Sequence, residues 1–92
     1  MTKKINKILI ANRGEIAIRV MRTCHEMNLS TVAVYSDPDE NAPFVRFASE
    51  AYSLRGVTAA ETYLDQSKII EIAQHAGVDA IHPGYGFLAE NA

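Results

Sequence analysis

The stretch His82-Pro83-Gly84-Tyr85-Gly86-Phe87 holds the residues best suited to chemistry in this chain of 92. Pro83 and Gly84 fit the second and third positions of a type II turn, where glycine takes the positive φ angle. Gly86 removes a further side chain, so backbone N–H groups of the loop can approach a ligand closely. Tyr85, between two glycines, offers a hydroxyl and an apolar ring. The same residues also fit a plainer reading, a tight loop with a satisfied aromatic. The second candidate is Asn12-Arg13-Gly14-Glu15, in which Arg13 either pairs with a local carboxylate or meets an anion. Its single glycine is not a G-x-G-x-x-G fingerprint, and G-x-x-x-x-G-K-[ST] occurs nowhere, so neither dinucleotide nor P-loop binding is supported. His25, His75 and His82 are scattered without metal-ligand spacing, and Cys24 reads as a core residue. The residues make a half-site capable of binding, with no catalytic residue and no metal site assigned in this chain.

Positioning these two turns requires particular elements. Lys7 to Ala11 reads as a strand, and its Ile8-Leu9-Ile10-Ala11 run is continuously apolar and rich in branched side chains, as a strand buried on both faces should be. From Glu15 the period changes to three and four: Ile16, Val20, Cys24 and Met27 are expected to face the core, with Arg19, Arg22 and Glu26 opposite. Thr31 to Tyr35 reads as a second strand, stopped by the turn formers Ser36 to Asn41. A short helix is expected over Phe44 to Ser49 with Pro43 in its first turn, then a weaker strand over Ala51 to Leu54 and a loop over Gly56 to Thr62. Asp65 to Ala76 is helical by period and Gly77 supplies its stop, and Asp79 to His82 forms a fourth strand.

The order β-α-β-α-β-α-β predicts an α/β fold: a Rossmann-like three-layer sandwich with a mainly parallel sheet, strand order 3-2-1-4 and right-handed crossovers. The first two helices should cover one face and the third the other. The topological switch point then falls between strands 1 and 4, where ligands bind beyond the carboxyl ends. Asn12 to Gly14 and His82 to Gly86 should therefore lie side by side. The second face receives one helix, and Phe87 to Ala92 looks like the first turn of another, so residues 1–92 read as a single domain truncated at its last helix. The bare sheet left behind, on the order of a few hundred Å², would favour self-association.

Composition excludes several classes. With 48% hydrophobic and 22% charged residues the chain is a folded domain and not a disordered tail. A net charge of −2 argues against nucleic acid as a partner. The charge is uneven: Lys3, Lys4, Lys7, Arg13, Arg19 and Arg22 stand against Glu15 alone in the first 25 residues, which suits either a solvated helix face or an acidic partner. One cysteine allows no intramolecular disulfide, no apolar run is long enough for a membrane span, and no signal or transit segment is seen, so a cytoplasmic location is expected, or the mitochondrial matrix in a eukaryote.

Lys7 to Arg19, with its Ile-Leu-Ile-Ala-Asn-Arg-Gly-Glu core, and Asp79 to Ala92, with its His-Pro-Gly-Tyr-Gly-Phe-Leu-Ala-Glu-Asn-Ala run, closely resemble the N-terminal, pre-ATP-grasp domain of biotin carboxylase. The same domain opens acetyl-CoA, propionyl-CoA, methylcrotonyl-CoA and pyruvate carboxylases. Thr31 to Asp37 and Tyr63-Leu64 fit as well, so the resemblance covers nearly the whole chain. It implies a ligase parent that uses ATP, Mg and bicarbonate to carboxylate biotin on a carrier domain. Its ATP-grasp and C-terminal domains complete the site, a carboxyltransferase component acts downstream, and the 92-residue chain is inactive by itself. The resemblance places Tyr85 and Gly86 on the biotin and bicarbonate side of the site, with Gly84 shaping the loop, and Arg19, Arg22 and Glu26 in a homodimer interface. Ala89 departs from the family's usual serine. The middle of the chain looks more like acyl-CoA carboxylases than pyruvate carboxylase, while the acceptor itself is chosen by the carboxyltransferase. A stand-alone flavodoxin-like or response-regulator-like binding module is the alternative, disfavoured because Asn12-Arg13 stands where a response regulator needs acidic residues.

Overall fold

The computed structural model describes residues 5–82. Four strands form one sheet in the order β3-β2-β1-β4, every neighbouring pair parallel: β1 (Lys7–Ile10), β2 (Ser30–Tyr35), β3 (Glu50–Ser53) and β4 (Ala80–His82). Three helices connect them: α1 (Gly14–Glu26), α2 (Pro43–Phe47) and α3 (Gln66–Ala76), with a short 3-10 turn over Asp37–Asp39. This is the expected topology. The segment expected to open a further helix, Phe87 to Ala92, lies outside the described residues.

Alternation along the central strands sorts the core into two layers. Leu9, Ala11, Val32 and Val34 point to the α3 face and pack with Leu54, Tyr63, Ile69 and Ala73. Ile10 and Ala33 point the other way, onto Ala17, Met21, Cys24 and Phe44 of α1 and α2. Because β1 and β2 are covered on both faces, their sequences read as unbroken apolar runs. At the amino end of the sheet the Asp79 carboxylate accepts from the N–H groups of Asn6 and Lys7, at 2.8 and 3.1 Å. The Lys7 ammonium donates to the Ala76 carbonyl at the end of α3 and meets Glu50 at 2.7 Å, a cation at the negative end of a helix.

The buried stripe of α1 is Ala17, Met21 and Cys24: it keeps Cys24 of the expected stripe but has Ala17 and Met21 where Ile16 and Val20 were expected, and Met27 falls outside the helix. The apolar arc of this helix is broad, since Ile16, Ile18 and Val20 flank the stripe half-buried, and small Ala17 marks the line of closest approach to the sheet. Met27 is 64% exposed because the helix has already ended there. Asn28 takes φ 64°, its N–H donates to the His25 carbonyl, and that of Leu29 donates to the Cys24 carbonyl, a Schellman closure that turns the chain away. α2 starts on Pro43 as expected but stops at Phe47, two residues early, since Ala48 is already extended on the way into β3. In α3 Gly77 closes the helix at φ 70° as expected, and the start falls one residue later than expected, since Asp65 is its cap: the Asp65 carboxylate accepts from the Lys68 N–H at 3.1 Å.

Candidate functional site

The carboxyl ends of all four strands meet along one rim, and hydrogen bonds tie them together. The Ala11 N–H donates to the His82 carbonyl at 2.9 Å, joining the ends of β1 and β4 at the topological switch point. The Asp37 N–H donates to the Gly56 carbonyl at 2.8 Å, joining the turns after β2 and β3. Asn12, directly after β1, is buried, and its side-chain oxygen accepts from the Arg13 N–H at 2.7 Å.

One carboxylate organises this rim. Asp39, 5% exposed, receives a bidentate fork from Arg13, with Nε at 2.7 Å from Oδ2 and Nη2 at 2.5 Å from Oδ1. The Tyr63 hydroxyl donates to Asp39 Oδ2 at 2.5 Å and in turn accepts from the Ser36 N–H at 3.1 Å. The Ser36 hydroxyl lies 3.4 Å from the same oxygen, and the Arg13 guanidinium sits 5.9 Å from the centre of the Tyr63 ring. The turn after β1, the turn after β2 and the loop before α3 thus converge on a single buried anion. Fork geometry suits this use, because two parallel charge-assisted bonds fix orientation as well as distance.

Electrostatics follow from these contacts. The Arg13 fork, aided by Tyr63 and opposed by burial, holds the Asp39 carboxyl below the ordinary carboxylate range. Burial, reinforced by the Asp39 charge, pushes the Tyr63 phenol up to about 12, so it remains a donor at neutral pH. Arg13 therefore spends its inner edge on a local carboxylate, the first of the two roles open to it in sequence. Half of its side chain, 51%, is still exposed at the rim.

Of the residues singled out in sequence, His82 ends β4 at the expected place beside Ala11 and Asn12, whereas Gly84, Tyr85 and Gly86 lie outside the described residues. Arg19, Arg22 and Glu26 are all exposed on the outer face of α1, away from the sheet. Cys24 is buried in the core, where loss of solvation pushes its thiol up. No group of three or more His, Cys, Asp and Glu side chains suited to a metal occurs among the described residues, and none of their helices is long and apolar enough to cross a membrane. Asp39 and Tyr63 were not legible as site residues. Their partners are 26 and 24 positions away in the chain, and no local spacing signals such a pairing.

Residues 4–92 match the family described as biotin carboxylase, N-terminal domain. The chain belongs to that family. It is 57% identical over 91 residues to the biotin-dependent acyl-coenzyme A carboxylase alpha3 subunit of Mycobacterium leprae, covering 99% of this chain and 15% of the relative. It is 55% identical over 86 residues to the biotin carboxylase of Halalkalibacterium halodurans, covering 94% of this chain and 19% of that one. Among solved structures, the biotin carboxylase domain dimer of 2-oxoglutarate carboxylase from Hydrogenobacter thermophilus, bound to MgADP, ADP and bicarbonate, superposes with a TM-score of 0.90 at 49% identity. That match covers 98% of this chain and 20% of the neighbour. This biotin carboxylase N-terminal domain thus spans a fifth or less of the length of each of these relatives. The flavodoxin-like and response-regulator-like alternative has no support.

Proposed function

We propose that this chain is the N-terminal domain of an ATP-dependent biotin carboxylase, the component of a biotin-dependent carboxylase that uses bicarbonate to carboxylate biotin on its carrier. The match to the family over residues 4–92 carries the reading. The rim at the switch point between β1 and β4 supports it, because His82, at the end of β4, stands where an open α/β sheet binds ligand, and Pro83-Gly84-Tyr85-Gly86 follow it in sequence. In this reading Tyr85 and Gly86 face biotin and bicarbonate and Gly84 permits the loop geometry. The described residues do not themselves fit ATP or Mg: they hold no metal-ligating cluster and no glycine-rich phosphate cradle. Those groups belong to other domains of the parent, which acts in the cytoplasm or mitochondrial matrix with a carrier domain and a carboxyltransferase. The domain therefore contributes one wall and its rim and does not catalyse alone. Purified residues 1–92 are expected to show no bicarbonate-dependent ATP hydrolysis, while the extended chain carrying the same residues shows it; turnover by the short chain would overturn this division of labour.

The same proposal includes a homodimer of the parent through the outer face of α1. Arg19, Arg22 and Glu26 are spaced by three and four residues and exposed together, so a two-fold axis can pair arginine of one protomer with glutamate of the other. Charge reversal, Arg19→Glu in the full-length protein, is expected to weaken the dimer at least about tenfold in sedimentation equilibrium. An unchanged dimer would remove α1 from the interface.

A further inference from the structure

At the open edge of the sheet, β3 and α3 enclose a cleft of about 570 Å³ that the family reading does not use. β3 stands two strands from β1 and three from β4, so a strand spacing of about 4.8 Å puts the cleft about 10 Å from one and about 14 Å from the other. Lys68, Glu71, Ile72 and His75 fall at i, i+3, i+4 and i+7 along one flank of α3, and residues 52–55 line the opposite wall. The floor is apolar: Leu54 is buried, and Tyr52 and Ile72 pack half-buried against the core layer beneath α3. At one end His75 stands edge-on to the Tyr52 ring, with centroids 5.8 Å apart.

The other end is cationic and held firmly. Arg55 takes φ 54°, the left-handed region where a long side chain is strained. Its backbone is fixed on both sides: the N–H donates to Ser53 Oγ at 3.0 Å, and the carbonyl accepts from Lys68 Nζ at 3.0 Å. Gly56, next in the chain, is tied through its carbonyl to the Asp37 N–H, and a Cβ there would lie 2.9 Å from Glu61 Cβ. These bonds hold the exposed Arg55 guanidinium, which has no partner among the described residues, at the same cleft as the Lys68 ammonium. Lys68 gives two of its three N–H groups to the Arg55 and Glu61 carbonyls and keeps one. Against these two cations the lining offers one carboxylate, Glu71, since that of Glu61 is taken by the N–H groups of Val57 and Thr58. Strain that its surroundings over-determine gathers at ligand sites, and clefts of this size take small molecules.

We propose that this cleft binds a small organic anion, with its flat apolar body on Tyr52, Leu54 and Ile72 and its carboxylate or phosphate group on Arg55, Lys68 and the Ser53 hydroxyl. The site is separate from the one in the function proposed above and does not rest on it.

The test uses the full-length protein carrying this domain, labelled at isoleucine methyl groups, with phenyl phosphate, benzoate and neutral benzamide as probes. At least one of the two anions is expected to shift the Ile72 methyl signal with a Kd of about 1 mM or tighter, and benzamide to bind at least about tenfold more weakly. The tighter of the two anions identifies the charged group the site takes. Arg55→Gly removes the guanidinium and relieves the strained backbone, so anion binding should weaken at least about tenfold while the melting temperature does not fall. Glu71→Gln removes the opposing carboxylate and should tighten the anion about threefold. No shift at Ile72 with about 20 mM of either anion, or equal affinity for benzamide, would overturn the proposal. Unchanged binding in Arg55→Gly would overturn it as well, and a lowered melting temperature there would make the guanidinium a structural group and not a ligand contact.

Discussion

Replacing Asp39 with alanine is expected to destabilise the protein by about 3 kcal/mol or somewhat more, the low end of the range for removing one partner of a buried, hydrogen-bonded ion pair. The low end applies because the Arg13 side chain is 51% exposed and regains water when its partner is lost. What cannot be recovered is the buried side of the cluster. The Tyr63 hydroxyl loses this acceptor at a 3% exposed position, and the Ser36 hydroxyl, in a residue 4% exposed, loses the same oxygen. Urea unfolding followed by circular dichroism measures the difference; a loss under about 1 kcal/mol would mean that water replaces the carboxylate without cost. The same cluster sets the pH limits. Asp39 titrates below the ordinary carboxylate value in the folded chain, so its contribution is present above that ordinary value, near 3.8, and disappears as pH falls through the lowered one. Tyr63 behaves in the opposite sense. With its phenol raised from 10 to about 12, its contribution is complete below pH 10 and is lost as pH climbs from 10 toward 12. Tyr63→Phe should abolish that alkaline loss.

Phe44→Ala is expected to be at least as damaging, about 3–5 kcal/mol. Phe44 is the largest fully buried side chain among the described residues and belongs to a helix of only five residues. A helix that short has no stability of its own in water. Its place in the fold depends on the Phe44 ring seated among Ile10, Met21, Cys24 and Ala33, between α1 and the sheet. Truncation leaves a cavity and removes the one deep anchor of α2, so the amides of Val45, Arg46 and Phe47 should exchange with solvent much faster than those of α1. Phe44→Leu, which keeps most of the volume, is expected to cost under about 1.5 kcal/mol. Equal stability of Phe44→Ala and the wild type in thermal unfolding would show that α2 is held by something other than this ring.

These two side chains also mark the boundary of what could be read from the chain in order. Phe44 was legible as part of a short helix after Pro43, and Cys24 as core, because local periodicity reports which face of an element is dry. Strand order 3-2-1-4 was legible for a similar reason: alternating apolar strands and amphipathic helices admit few right-handed parallel windings. The stop at Gly77 is local chemistry and was found where expected, while Asp65, read as the first helical residue, is instead the N-cap of a helix that begins at Gln66. In the first half of α1 the stripe was misread by one residue, Ile16 and Val20 for Ala17 and Met21, because small Ala17 gives little apolar signal although it is fully buried.

By itself, then, the sequence determined the elements, their order, the two-faced burial of β1 and β2, the basic outer face of α1 and the family signature in the segments around Asn12 and His82. Only the tertiary structure decided what Arg13 does. Its two possible roles differ by whether a carboxylate arrives within hydrogen-bond reach, and the one that does, Asp39, comes from the turn after a different strand, with Tyr63 from beyond a third. Pairings of that kind follow from sheet register and loop packing, which bring distant residues together, and no periodicity along the chain encodes them.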